Sequence, residues 1–208
     1  MKGINQALTK GFVILMFSAF IISCASIPEL SVNYQLPPPS EQLKGKEVVF
    51  TFEDTRKERD ILALGAKKDL RNFSGNISFS VARHNEPGFK IGVFEFPALM
   101  KSAFNRRLET LGLKLVPEQS PGAPELLIVL SEFTLDLVSR KWVVEMNYEA
   151  RLRKDGKVLS TQTIGGKAER LKLIGLREAD SVLGEIFTDL INRLDVVRLF
   201  QQGGLLVP

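Results

Sequence analysis

Leu126-Leu127-Ile128-Val129-Leu130-Ser131-Glu132-Phe133-Thr134-Leu135-Asp136-Leu137 is the stretch on which the fold turns. Its first five residues are wholly apolar, as in a strand covered on both faces. From Ser131 it alternates: Phe133, Leu135 and Leu137 point one way, Glu132, Thr134 and Asp136 the other. A short turn near Ser139-Arg140 leads into residues 141–153, where Trp142, Val144, Met146, Tyr148, Ala150 and Leu152 alternate with mostly polar neighbours. A period of two sustained over that length fits a strand and no helix. Asp155-Gly156 then supplies the dipeptide favoured in two-residue hairpin turns, and residues 158–169 return as a third strand. Gly165-Gly166 within it predicts a bulge or bend. The centre of the chain is thus an antiparallel meander.

Working outward, residues 96–111 predict a helix. Pro97 fits its first turn, and Met100, Ala103, Phe104, Leu108 and Leu111 share one face. Gly112 is placed for a left-handed C-terminal cap. A second, longer helix is predicted over residues 176–197 from the stripe Ala179, Val182, Leu183, Ile186, Phe187, Leu190, Leu194 and Val197. Upstream, Val48, Val49, Phe50 and Phe52 form a strand that runs into the polar series 53–60. Residues 54–90 read as a long loop or a small hairpin insertion, with Ile77, Phe79 and Val81 alternating as a short strand. The predicted order is β-α-β-β-β-α. Two helices on one face of a mainly antiparallel sheet make an α+β, two-layer sandwich.

The N-terminus carries a different kind of signal. Lys2 and Lys10 precede an apolar run over residues 11–22, interrupted only by Ser18, and Ser23-Cys24 follows. The run has the length of a signal-peptide core and is short for a bilayer span. Cys24, the single cysteine, follows a small residue at the end of that run, which resembles a bacterial lipobox. On this reading residues 1–23 are a lipoprotein signal peptide and Cys24 is the lipidated first residue of the mature chain. No Asp follows Cys24, and the resemblance then favours the periplasmic face of the outer membrane over the inner membrane. Residues 24–44, with Pro28 and Pro37-Pro38-Pro39, read either as an extended tether or, around residues 32–36, as an edge strand packed on the domain. A single domain is expected over residues 45–198, with a frayed tail at 199–208.

Removal of the signal takes Lys2 and Lys10 and no acid, leaving 26 basic and 24 acidic side chains. The basic character of the whole chain is therefore weak support for nucleic acid, and none is expected as a partner. With Cys24 acylated no thiol remains for a disulfide. The lone histidine, His84, lies in the turn-rich Arg83-His84-Asn85-Glu86-Pro87-Gly88 and reads as a surface-loop residue. No nucleophile elbow, phosphate loop or metal-ligand spacing is present, so neither a catalytic set nor a cofactor or metal is expected. Trp142 and Tyr148 read as packing residues.

Taken together, the lipobox at Cys24, the strand followed by Asp54-Thr55-Arg56, the helix ending in Leu111-Gly112, the meander through Asp155-Gly156 and the closing helix resemble the YajG-like family of small Gram-negative lipoproteins. More distantly the chain resembles the auxiliary lipoproteins of envelope ABC transport systems. The first resemblance implies an outer-membrane lipoprotein. The second implies a role in lipid or glycolipid transport. Because the residues offer a lipobox, a tether and a well-patterned core but no catalytic set, a domain that is not an enzyme and contacts an envelope protein or lipid is expected. Asp54 and Arg56, two apart after the first strand, are the candidate contact residues; a structural ion pair pinning the following loop is the alternative.

Overall fold

Two-residue turns set the frame. In the computed structural model, which describes residues 29–83, 86, 88–173 and 176–206, Asp155 and Gly156 both adopt positive φ. So do Ser139 and Arg140. These tight turns join β6 (Glu125–Val138), β7 (Lys141–Lys154) and β8 (Lys157–Leu171) into the expected antiparallel meander. To it the chain adds β2 (Glu47–Asp54) and β5 (Lys114–Val116), giving a five-stranded sheet in the order β5-β2-β6-β7-β8. β2 runs parallel to both of its neighbours, so the sheet is mixed where a mainly antiparallel one was expected.

The change of phase along β6 has a physical cause. Leu126, Ile128 and Leu130 face the core, and so do Phe133 and Leu135. A register shift between Leu130 and Glu132 leaves Ser131 out of the ladder, its hydroxyl donating to the Asn147 carbonyl at 3.1 Å. One extra residue turns an even-numbered inner face into an odd-numbered one. By contrast, Gly165-Gly166 is no bulge. Both pair regularly with β7, and the register shift lies at Leu152/Arg153 instead. These glycines permit close approach: a Cβ on Gly165 would lie 1.8 Å from the Asn147 Oδ1, and one on Gly166 2.9 Å from Leu190.

Two helices cover the inner face. α2 (Phe96–Thr110) ends as expected at Gly112, with the Leu113 N–H donating to the Leu108 carbonyl and the Gly112 N–H to that of Glu109. α3 (Arg177–Arg193) packs along β7 and β8. Both helices meet Tyr148, whose ring sits edge-on to Phe104 and whose hydroxyl donates to the Leu190 carbonyl at 2.8 Å. The expected continuous helix over 176–197 is broken. Leu194 is extended, and Asp195 caps a separate helix, α4 (Val196–Gln202), by accepting from the Arg198 N–H. Nor does the tail fray at once: Leu205 and Leu206 pack against the core.

The larger departure concerns a second sheet. β1 (Leu30–Gln35), β3 (Asn76–Ala82) and β4 (Phe89–Glu95) form a three-stranded sheet in the order β1-β3-β4. β1 is parallel to β3, and β3 and β4 form an antiparallel hairpin. Residues 30–35 are thus an edge strand rather than free tether. Residues 54–90 hold α1 (Leu64–Asp69), β3 and the start of β4, so a hairpin does form there, and it belongs to this second sheet. Leu30, Val32, Tyr34, Ile77, Phe79 and Val81 are buried in the same apolar cluster as the meander.

The open edge of β1 is covered by α3, which bonds three of its backbone groups. Asp180 accepts from the Ser31 N–H at 2.8 Å, Thr188 accepts from the Gln35 N–H at 3.1 Å, and Asn192 donates to the Gln35 carbonyl at 2.8 Å. Gly184, between them, approaches Asn33. Four helical residues rise about 6 Å and two strand residues about 6.6 Å, so a four-residue stripe keeps step with alternate backbone groups. Among the described residues no helix is long and apolar enough to cross a membrane.

Candidate functional site

Asp54 is the last residue of β2, where the strand leaves the sheet and the chain turns toward α1. Its carboxylate accepts from the Arg56 N–H at 3.1 Å, a local turn that folds the Arg56 side chain back on it. The guanidinium then engages both oxygens, Nε to Oδ1 at 3.0 Å and Nη2 to Oδ2 at 2.9 Å. Its remaining donors reach the carbonyls of Phe133, at 3.4 Å, and Arg59, at 3.2 Å. The Arg56 Cζ lies 4.8 Å from the centre of the Phe96 ring. Arg56 is therefore a buried cation tying the end of β2 to β6, to the start of α2 and to the loop that follows. Arg59, largely exposed, adds a second bond to Asp54 at 2.9 Å. Burial alone would push the Asp54 carboxyl up, but the hydrogen bonds and charges of Arg56 and Arg59 outweigh it and hold it below the usual range.

This geometry brings the two candidate residues together on the wall of a cleft of about 650 Å³. The cleft lies between the 56–75 segment and the first turn of α2, and Arg59, Lys67, Arg71, Phe73 and Glu95 line it. Asp60, also on its wall, pairs with Lys67 at 2.8 Å and accepts from the Leu62 N–H at 2.9 Å. Burial raises the Asp60 carboxyl, and its bonds to Lys67 and Leu62 lower it further than burial raises it. α1 is positioned from across the sheet: Asp136 of β6 accepts from the N–H groups of Gly65 and Ala66 at 2.9 and 3.1 Å. Gly65 is needed there, since a Cβ would fall 2.2 Å from the Leu137 carbonyl oxygen. Of the cleft, the sequence signalled only Asp54 and Arg56. Arg59, Lys67, Arg71 and Phe73 sit in a charged, turn-rich stretch that gave no periodicity to read.

A second cleft, of about 630 Å³, is lined by Leu36, the triplet Pro37-Pro38-Pro39, Phe89 and Arg106 among others. It is the more apolar of the two. Trp142 and Tyr148 are buried as expected. Cys24 and His84 lie outside the described residues. Among the described residues, no three His, Cys, Asp or Glu side chains are grouped to hold a metal.

No protein-family model matches the chain, and no curated protein sequence matches it. Its fold has solved counterparts. A Xanthomonas campestris protein of the family model DUF330 superposes with a TM-score of 0.56 at 13% identity, over 84% of this chain and 97% of that one. At that identity the likeness establishes a shared fold. A minor lipoprotein from Acinetobacter baumannii aligns over 80% of this chain and 94% of its own with a TM-score of 0.39 at 8% identity. The lipoprotein GNA1162 from Neisseria meningitidis aligns over 71% and 96% with a TM-score of 0.30 at 10% identity. Both of these lie too far in backbone geometry to bear on this chain.

Proposed function

We propose that the chain is a lipoprotein of the Gram-negative envelope, held through Cys24 at the periplasmic face of the outer membrane, and that its α+β domain binds another envelope component without catalysing a reaction. The anchor rests on the order of basic residues, apolar run, small residue and cysteine over residues 2–24. The observation that carries the binding reading is the state of the charges in the Asp54–Arg56 cleft. Asp54 and Asp60 are both ion-paired and held ionised. A carboxylate kept below its ordinary range is a poor proton acceptor near neutrality. What the cleft presents instead is a fixed rim of Arg59, Lys67 and Arg71, suited to a partner's anionic or polar groups.

A second reading, an auxiliary lipoprotein of an ABC-type lipid or glycolipid transport system, is favoured by the proline-walled cleft. Its apolar wall suits the acyl part of an amphiphile, and Lys44, Arg83 and Arg106 alternate with Glu41, Glu86 and Glu109 around it to meet a polar headgroup. Crosslinking of the lipidated protein in intact cells, followed by identification of copurifying protein and lipid, separates the two. Outer-membrane or cell-wall components, with crosslinks around Arg59 and Arg71, are the expected result. An ABC permease or a stoichiometric lipid favours the second reading, and turnover in a broad hydrolase screen overturns both. Cys24→Ala should release the domain from the membrane with its fold intact, and retained attachment contradicts the anchor.

A further inference from the structure

Four of the seven exposed large apolar side chains among the described residues lie at one end of the five-stranded sheet: Leu64, Val138, Leu171 and Leu173, each at least 50% exposed. The pairing places them there. Val138 and Lys141 flank the β6–β7 turn, Lys141 is opposite Leu171, and the Lys172 N–H bonds the Arg140 carbonyl. α1, carrying Leu64, is seated on the same end through Gly65, and Lys172 pairs with Asp69 of α1. Between α1 and the end of β8 runs an open groove of about 550 Å³. Lys68, Arg140 and Lys172 line this groove and Lys141 stands opposite Leu171. Lys141 and Lys172 have carboxylate partners, whereas Lys68 and Arg140 have none among the described residues.

This is also the end at which the chain enters the domain. α3 runs antiparallel to β8, Arg170 pairing with Glu185 and Gly166 lying beside Leu190. β1 runs alongside α3 in the same direction, from Ser31 at Asp180 to Gln35 at Thr188 and Asn192. Leu30, where β1 begins, therefore lies toward the end that carries Leu171. It comes six residues after Cys24, a reach of at most about 20 Å.

Resting on the lipid-anchor reading above, we propose that this leucine- and cation-bearing end docks on the anionic phospholipid surface to which Cys24 is attached. Single leucines on separate elements, spaced by lysines and Arg140, suit insertion among headgroups, and the basic excess complements an anionic leaflet. The domain then lies against the bilayer, with the Asp54–Arg56 cleft near the headgroups.

Because Cys24 is the sole cysteine and is acylated in the mature protein, a new thiol is uniquely labelled. Full-length lipidated protein carrying Leu173→Cys, or Val158→Cys at the opposite end of β8, is labelled with an environment-sensitive dye. It is then reconstituted in vesicles of phosphatidylethanolamine and phosphatidylglycerol that contain a quencher lipid. The label at 173 should be quenched and that at 158 should not. Replacing phosphatidylglycerol by phosphatidylcholine, or raising salt, should relieve the quenching. The double variant Lys68→Gln/Arg140→Gln should lower the docking equilibrium constant about fivefold for each cation removed. An acylated protein whose label at 173 stays unquenched overturns the docking alone, as does quenching at both positions. Absence of an acyl mass on Cys24 overturns the anchor and this proposal with it. Protection of residue 173 only after addition of an envelope protein extract assigns the surface to a protein and also overturns it.

Discussion

The two sheets of this domain are built on opposite principles. The five-stranded sheet is centred on strands that follow one another through two-residue turns, and each pair specifies itself through alternating side chains. The three-stranded sheet joins β1 to β3 in parallel although some forty residues separate them, and its outer edge is completed by side chains of a helix from the far end of the chain. The meander β6-β7-β8 is local in sequence, whereas the β1 edge depends on partners far from it along the chain. The difference implies that the small sheet opens at lower free energy than the meander.

The largest expected effect is at the joint between them. The Asp54 and Arg56 side chains are only 8% and 3% exposed, and Arg56 bonds β6 while lying over Phe96, the residue that leads from β4 into α2. Asp54→Ala leaves a buried, unpaired guanidinium and should cost about 3–5 kcal/mol. The double variant Asp54→Ala/Arg56→Met, which removes both charges and keeps an apolar stem against Phe96, should recover most of that loss. Urea midpoints of the two variants check this. A single-variant loss below about 1 kcal/mol would place the pair among exposed ion pairs and remove it as the joint.

A smaller effect should single out the small sheet. A Cβ on Gly184 would sit 3.1 Å from the Asn33 carbonyl oxygen, already tight, and the branches of valine have no space beyond it. Gly184→Val should cost about 1–3 kcal/mol through displacement of β1. Amide exchange should quicken in β1 and β3 while β6, β7 and β8 stay protected. Uniform loss of protection would show that the sheets open together and would break the contrast drawn here.

The same contrast explains what was legible beforehand. The meander, the Asp155-Gly156 turn and the Gly112 cap were readable because each signal lies within a few residues of the structure it dictates. The Asp54–Arg56 pair was readable for the same reason, as two residues on one turn. The edge of β1 was not, because its partners Asp180, Gly184, Thr188 and Asn192 look like the ordinary polar side of an amphipathic helix. The break at Asp195 was hidden by an apolar stripe that continues through Leu194 and Val196 into α4. The bulge at Ser131 was written in the shift from Leu130 to Phe133, yet a run of apolar residues before it masked the phase. The cleft around Arg59 and Arg71 depends on where α1 lands, which Asp136 decides from seventy residues away.

The finest test of the β1 edge is its pH dependence. Burial raises the Asp180 carboxyl above its ordinary value, the Ser31 backbone bond pulls it down, and the charge of Glu29 adds to the rise. A raised carboxyl favours the folded state fully below the unfolded value near pH 3.9, and that contribution is lost as pH rises through the folded value. At neutral pH the charge on Asp180 is therefore a burden on the small sheet. Asp54 acts with the opposite sign, contributing above the ordinary carboxylate range and losing that contribution as pH falls through its lowered folded value. Asp180→Asn keeps an oxygen for the Ser31 N–H and removes only the charge, so its effect should be the smallest of the three. It should raise the thermal midpoint at neutral pH, and the gain should shrink to nothing below about pH 4. A gain independent of pH would mean that packing, not charge, governs this position, and a loss at every pH would mean that the bond to Ser31 needs a carboxylate.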